Sequence, residues 1–79
     1  MTNIEYRILQ YVLEQGALGI APMQHHIRAR FTPEQTAHVV NSLHSRKLLM
    51  RAAYGRRYAH RGYIITDEGR AALAPKMVG

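Results

Sequence analysis

The chain has 79 residues, of which 47% are apolar, and a formal net charge of +6 at pH 7. This length predicts one small domain with a thin core, and the apolar share excludes a disordered basic tail. The absence of cysteine excludes disulfides and cysteine-based zinc sites, and no apolar run reaches the ~20 residues of a membrane span. The charge favours polyanionic partners, and without a signal-peptide pattern we expect a cytoplasmic location.

The first predicted helix covers residues 2–15, where apolar residues recur at intervals of three and four. Thr2 and Glu5 have the spacing of a capping box, in which each side chain satisfies a backbone N–H of the first turn. Gly16 is expected to end this helix, because glycine most easily adopts the left-handed conformation of a helix terminus.

A short extended connection and a second helix follow. Leu18 and Ile20 are expected to point from the connection into the core. The second helix is predicted over residues 21–30, with Pro22 in the first turn, where proline is tolerated. Phe31 is expected to close the core between this helix and the next.

A third helix is predicted over residues 33–46. Thr32 supplies a capping hydroxyl, Pro33 suits the first helical position, and Glu34 places an acid in the first turn. The turn between the second and third helices is short, as a helix-turn-helix requires. The outward positions of the third helix are polar and mostly neutral: Gln35, His38, Asn41, Ser42 and Ser45.

Two β-like segments, residues 48–54 and 58–65, are predicted to form a hairpin. Gly55 and Gly62 allow chain reversal or bulging near its tip. From residue 35 to residue 66 the chain has no Asp or Glu, yet it carries Arg46, Lys47, Arg51, Arg56, Arg57 and Arg61. The positive charge is therefore concentrated on the end of the third helix and on the hairpin.

A short final helix is predicted after the hairpin. Thr66 is its expected N-cap, and the two acids that follow suit its first turn. Pro75 is expected to end it. The domain would then cover residues 1–75, with residues 76–79 as a flexible tail.

Two segments have a specific character. Residues 35–51, QTAHVVNSLHSRKLLMR, combine a central Leu with a basic exit and two apolar residues that enter the hairpin. In residues 63–69, YIITDEG, an apolar strand ends in Thr just before a helix. Together they resemble the recognition helix and the wing of the multiple-antibiotic-resistance and PadR-like bacterial transcriptional repressors. The resemblance implies an α+β fold, a small winged helix-turn-helix with three helices, a two-stranded β-hairpin wing and a short C-terminal helix.

Two features depart from that family pattern. Lys47 occupies a position where these repressors usually have Gly, at the turn from the recognition helix into the wing. The repressors also usually dimerise through additional helices, whereas few residues follow Leu73 here. A homodimer of this chain would therefore use the first helix, the final helix or the wing.

The third helix and the hairpin are the predicted DNA-binding elements. The helix would present polar groups to a major groove, and the hairpin arginines would contact phosphates or a minor groove. The alternatives are a solvated helix face, capping of the helix dipole by the cations at its exit, and arginines that keep a hairpin soluble. The predicted contact residues are Gln35, Thr36, His38, Asn41, Ser42, Arg46, Lys47, Arg51, Arg56, Arg57 and Arg61.

The sequence predicts no catalytic site, metal site or cofactor. His25 and His26 are adjacent on a helix and so do not face each other, and no Cys or acid accompanies the histidines at ligand spacing. No nucleophile–base grouping and no glycine-rich phosphate loop is present. We therefore expect that this chain is not an enzyme.

Two functions of different classes remain open at this point, and RNA binding is a smaller third one that little in the sequence separates from DNA binding. The first is sequence-dependent binding of double-stranded DNA by a small bacterial or phage regulator, with residues 33–46 in the major groove and the wing, residues 54–62, on the backbone or minor groove. The alternative is a winged-helix protein-interaction module, an adaptor or a mobile-element inhibitor, which docks on an acidic protein. Residues 33–45 contain no Arg or Lys, which favours the alternative.

Overall fold

Four helices and two strands make up the described part of the chain. The structure, a computed structural model, describes residues 1–31, 33–52 and 62–78, and of residues 33–35 and 75–78 it describes the backbone only. The elements are α1 (Asn3–Ala17), α2 (Gln24–Arg30), α3 (Pro33–Ser45), β1 (Leu49–Arg51), β2 (Tyr63–Ile65) and α4 (Asp67–Val78). This order confirms the predicted fold class.

The start of α1 is the predicted capping box. The Thr2 hydroxyl accepts the N–H of Glu5 at 3.3 Å, and the Glu5 carboxylate accepts the N–H of Thr2 at 2.7 Å. The end of α1 differs from the prediction, because Gly16 lies inside the helix and Gly19 adopts the left-handed conformation, with φ 78°.

The turn after α1 is a Schellman motif. The N–H of Ile20 donates to the carbonyl of Gln15 at 2.9 Å, and the N–H of Gly19 donates to that of Gly16 at 3.0 Å. Leu18 and Ile20 remain 71% and 44% exposed, so the prediction that they point into the core is wrong. Leu18 belongs to the helix cap, off the stripe of α1 that faces the core.

The second helix begins later than predicted. Ala21 and Pro22 precede it in an extended segment, where the Pro22 carbonyl accepts the N–H of Tyr63 at 2.8 Å. Met23 is the N-cap of α2, and Nδ1 of His26 accepts the Met23 N–H at 3.3 Å. The prediction that Pro22 lies in the first turn of α2 is therefore wrong, and its carbonyl forms a hydrogen bond with β2.

The base of the hairpin is a short antiparallel ladder. The strands β1 and β2 pair in the register Leu49↔Ile65, Met50↔Ile64 and Arg51↔Tyr63. The N–H of Ala52 extends the ladder to the carbonyl of Gly62 at 2.8 Å. Gly62 is buried, and a Cβ there would lie 1.8 Å from the Ala21 carbonyl oxygen, so this glycine permits close packing at the base of the hairpin. The predicted tip, with Gly55, lies outside the described residues.

The core lies between the helices and the inner side of the sheet. Phe31 joins it at the edge, where its ring meets that of Tyr11 edge-on at 5.7 Å. Apolar burial of this kind contributes roughly 25 cal/mol per Å². The buried members are Ile8, Leu9, Val12, Ile27, Val40, Leu43, Leu49, Tyr63, Ile65 and Leu73.

The final helix begins at the predicted place and runs further than predicted. Thr66 caps it, since its hydroxyl accepts the N–H of Gly69 at 2.9 Å. The helix continues past Pro75 to Val78. Proline removes one backbone hydrogen bond from a helix, but the residues after it can keep helical dihedral angles, and here they do. Within the described residues, no helix is long and apolar enough to cross a membrane.

Candidate nucleic-acid interface

One face of α3 is left uncovered by the described part of the chain. His38, Asn41 and Ser45 are exposed, and Ser42 is half-buried beside them. These four residues follow the spacing i, i+3, i+4 and i+7, so they form one strip along the helix. Their predicted outward positions are confirmed, while the side chain of Gln35 lies outside the described part.

Thr36 is on the opposite face of α3 and is fully buried. It precedes Val40 by four residues and Leu43 by seven, which is the spacing of the core-facing stripe, and both of those residues are also fully buried. The prediction that Thr36 contacts DNA is therefore wrong. The same spacing is visible in the sequence and was sufficient to place Thr36 inside.

Arg46 is engaged with protein groups at the end of α3. Its Nη2 pairs with the carboxylate of Glu5, and its Nε donates to the carbonyl of Ser42 at 3.4 Å. The pKa of the Glu5 carboxyl lies below its ordinary value. The main cause is the hydrogen bond from the N–H of Thr2, and the Arg46 guanidinium lowers the pKa further. Of the two interpretations of Arg46, capping the helix and contacting a phosphate, the first is observed. Arg46 ties the end of α3 to the start of α1.

Lys47 has an unusual backbone conformation for a residue other than glycine. Its φ is 64°, in the left-handed region, and its side chain is exposed. The N–H of Leu48 donates to the carbonyl of Leu43 at 2.9 Å, and the N–H of Lys47 donates to that of His44 at 3.0 Å. These two bonds form a second Schellman motif, a turn in which glycine is the usual residue at the left-handed position.

Thr66 joins the end of α3 to the start of α4. Its hydroxyl donates to the carbonyl of Lys47 at 2.7 Å, and its N–H donates to the carbonyl of Leu48 at 3.2 Å. The same hydroxyl oxygen caps α4 through Gly69. One threonine therefore fixes the turn after α3 and the helix that follows the wing.

Arg51 lies at the base of the wing. Its guanidinium carbon is 4.9 Å from the centroid of the Tyr63 ring, and the two residues are paired in the sheet. The His44 ring meets the same Tyr63 ring nearly perpendicularly at 5.7 Å. A cation–π contact at an exposed site contributes about 0.5–1 kcal/mol, which favours one orientation of the arginine side chain. Arg51 is thus exposed and positioned beside the end of α3.

The remaining predicted contacts are the arginines of the predicted wing. Arg56, Arg57 and Arg61 lie outside the described residues, and their role in DNA binding stays a prediction. The structure therefore brings together His38, Asn41, Ser42, Ser45, Lys47 and Arg51 as one candidate surface, formed by α3 and the base of the wing.

A second surface lies between α1 and α2, where a cavity of about 270 Å³ is flanked by Arg7 and Arg30. The Arg7 guanidinium carbon lies 5.5 Å from the centroid of the Phe31 ring. An adjoining groove includes Ile20. Sequence reasoning missed this surface, because it depended on how two helices pack and on which apolar residues remain exposed.

The predicted histidine and acid pattern can also be compared with the structure. The rings of His25 and His26 are tilted against each other with their centroids 4.0 Å apart, so the prediction that these two side chains do not face each other is wrong. In the part of the chain that the structure describes, no three His, Asp or Glu residues are grouped in a way that could hold a metal ion.

Comparison with solved structures identifies the fold. The structure of S. aureus MepR bound to ethidium bromide matches with a TM-score of 0.78 and 17% sequence identity, over 99% of this chain and 56% of that chain. The structure of a mutant of S. aureus MepR matches with a TM-score of 0.77 and 16% identity, over 99% of this chain and 57% of that chain. MepR is a winged-helix repressor of the multiple-antibiotic-resistance (MarR) family, so the predicted resemblance in fold is confirmed.

The match has a defined extent. This chain spans a little more than half the length of the MepR chains. No protein-family model matches the sequence, and no curated protein matches it.

Proposed function

We propose that this chain binds double-stranded DNA and acts as a small bacterial or phage transcriptional regulator, with α3 in the major groove. The observation that carries the proposal is the uncovered polar strip of α3, which sits beside exposed cations in a fold that matches a repressor. The helix has 13 residues, so it is roughly 20 Å long. With its side chains an α-helix is about 10–12 Å across, so it fits into a B-DNA major groove, which is about 12 Å wide.

Each part of the surface has a role in this proposal. The Asn41 amide can pair with adenine through two hydrogen bonds, and His38 and Ser45 can reach base edges or phosphates. Lys47 and Arg51 would contact the phosphates, together with the wing arginines. Arg46 would contribute less, because Glu5 neutralises it. Since residues 33–45 contain no Arg or Lys, we expect modest sequence discrimination and strong salt dependence.

The first test is fluorescence anisotropy of the purified chain with labelled mixed-sequence duplex DNA across a salt series. We expect affinity that falls steeply as salt rises, with a slope that reflects several phosphate contacts. An absence of binding at low salt would overturn the proposal. Charge reversal of Arg56 and Arg57 should abolish binding, and if it does not, the wing is not a contact.

The role of α3 is tested separately from the charge. Once a preferred site has been selected, Asn41→Ala should weaken binding to that site by about 1–3 kcal/mol and relax specificity at one base pair. Gln10→Ala is the matched control, because it removes the same amide from α1, outside the proposed interface. Equal effects of the two variants would show that α3 does not read the bases.

A second candidate is the protein-interaction module. It is favoured by Ile20, which is 44% exposed and lines the groove between α1 and α2, and by the two arginines that, together with Glu14, line the adjoining cavity. Such a surface suits an acidic protein with apolar side chains, and it could also form a homodimer. This candidate predicts that labelled poly-glutamate binds at least as tightly as duplex DNA, and that reversing the charge of Arg7 and Arg30 removes this binding. Under the DNA-binding proposal, the same variant loses much less DNA affinity than the charge reversal of Arg56 and Arg57, because only the general positive charge is reduced. In that proposal the protein acts in the cytoplasm.

A further inference from the structure

The turn between α3 and the wing holds a lysine in a conformation that favours glycine. We infer that Lys47 contacts a DNA phosphate and is retained at this position for binding, at a cost in stability. The inference rests on the proposed function and extends it, because it names the cation that fixes the C-terminal end of α3 against the backbone. It is carried by the backbone of Lys47, by the engagement of its neighbours and by the charge at the end of α3.

The backbone of Lys47 gives the first step. A non-glycine residue in the left-handed region costs about 1–2 kcal/mol, because its Cβ crowds the following carbonyl. The equivalent position after α1 is occupied by Gly19, at φ 78°. A lysine in the same turn is therefore unfavourable for folding and calls for another explanation.

The contacts of the turn give the second step. The N–H of Lys47 donates to His44 and its carbonyl accepts from Thr66, so both of its backbone polar groups are satisfied. Neither bond involves the side chain, and glycine would make both equally well. What Lys47 adds over glycine is its exposed ammonium group.

The neighbouring cations give the third step. Arg46 is paired with Glu5, and Arg51 is stacked on Tyr63. Among the described side chains, those of residues 1–31, 36–52 and 62–74, none forms an ion pair with Lys47. Among the described cations at the exit of α3, Lys47 is therefore the one that neither a carboxylate nor an aromatic ring engages.

The electrostatics of α3 give the fourth step. The C-terminal end of a helix carries a partial negative charge of roughly half an electron, which repels a phosphate. A helix that lies in a groove brings both of its ends near the backbone, so a cation at the C-terminal end offsets this repulsion. A fixed backbone beneath the side chain also reduces the entropy lost when the lysine is immobilised on a phosphate.

The test compares Lys47→Gly with Arg70→Gln. Both variants lose one positive charge, but Arg70 is 62% exposed on α4 and lies 3.9 Å from Asp67. We expect Lys47→Gly to raise the Tm by roughly 4 °C, to weaken DNA binding about fivefold and to lower the salt slope by about 1. Asparagine tolerates the left-handed conformation, so Lys47→Asn should lose as much affinity as Lys47→Gly. Lys47→Arg keeps the positive charge and should retain the affinity.

The outcomes separate this inference from the proposed function. If the wild-type protein binds DNA in a salt-dependent manner and Lys47→Gly leaves affinity and slope unchanged, the inference is wrong and the function stands. The same conclusion follows if Arg70→Gln weakens binding as much as Lys47→Gly, since net charge would then explain both. If the wild-type protein does not bind duplex DNA at low salt, both proposals fail.

Discussion

The turns that end α1 and α3 have the same hydrogen-bond pattern but different residues in the left-handed position. Gly19 occupies it after α1 and Lys47 after α3, at φ 78° and 64°. In both turns the next residue, Ile20 or Leu48, donates its N–H back into the last helical turn at 2.9 Å. The two turns therefore share one backbone conformation, although different residues occupy the left-handed position.

The surroundings of the two turns explain the difference. A Cβ at Gly19 would meet no atom of the described residues within 4 Å. No packed neighbour therefore holds this residue in the left-handed conformation, which glycine adopts without a steric penalty. The turn after α3 is held from outside, because Thr66 bonds to the carbonyls of Lys47 and Leu48. A strained conformation persists where the surrounding structure fixes it, as it does at Lys47.

The largest effect is expected where α4 packs against the turn after α3. A Cβ on Gly69 would lie 2.3 Å from the Leu48 carbonyl oxygen and 2.7 Å from Cγ1 of Ile65. Gly69→Ala must therefore shift α4 away from the turn, and we expect a loss of about 3 kcal/mol in the free energy of unfolding. Denaturant unfolding measures this loss.

Gly16→Ala is the matched control for that substitution. Gly16 lies in α1, and a Cβ there would contact no described atom within 4 Å. The change should stabilise the protein by about 0.5–1 kcal/mol, because alanine favours the helix. A Gly69→Ala variant as stable as Gly16→Ala would show that α4 does not press against the turn.

The next largest loss of stability is expected when the hydrogen bond from Thr66 to the turn at Lys47 is removed. Thr66→Ala removes the cap of α4 and the hydroxyl bond to the Lys47 carbonyl, so we expect a loss of about 1–2 kcal/mol. Amide hydrogen exchange at Lys47 and Leu48 should accelerate in the same variant. Thr66→Ser keeps the hydroxyl and should retain most of the stability, and equal losses in both variants would contradict this assignment.

A smaller effect is expected at the turn after α1. Gly19→Ala places a Cβ in the left-handed region, with a net loss of about 1 kcal/mol after the reduced entropy of the unfolded chain is included. In a domain of this size that loss lowers the Tm by roughly 4–8 °C. Gly19→Asn should lose less, because Asn tolerates this conformation better. An unchanged Tm for Gly19→Ala would mean that the open corner can take another conformation.

The smallest effect is expected for the pair that ties α3 to α1. The pKa of Glu5 is lowered in the folded state, so its contribution to stability is complete above its unfolded pKa, near 4.5, and is lost as the pH falls through the folded pKa. Glu5→Gln should remove this part of the pH dependence, with a loss below about 1 kcal/mol at pH 7. Unfolding measured between pH 3 and pH 7 would contradict the assignment if both proteins showed the same profile.

The features that the sequence predicted correctly depend on neighbouring residues. The capping box of Thr2 and Glu5 and the outward strip of α3 follow from spacings of three and four residues. The burial of Thr36 follows from the same rule, and predicting it as a DNA contact was an error of interpretation. The order of the elements was predictable because each helix carries its own start signal or its own apolar stripe.

The features that the sequence could not predict depend on partners that are distant along the chain. Pro22 bonds to Tyr63 of the sheet, and Arg46 pairs with Glu5 of α1. None of these contacts produces a pattern of residue spacing in the sequence. The sequence could therefore predict which residues form the candidate surface, but it could not predict which of the cations there are engaged by other protein groups.

The sequence by itself determined the helices, the order of the elements and the concentration of positive charge after α3, because propensity, capping and periodicity act over a few residues. Tertiary structure decided which of those charges are neutralised and which remain available. It also decided that a lysine could occupy a glycine position, since the hydroxyl of Thr66, 19 residues further along, fixes the carbonyl of Lys47. Local rules set the preferences of each segment, and packing between distant segments selects among them when the energies differ by only about 1 kcal/mol.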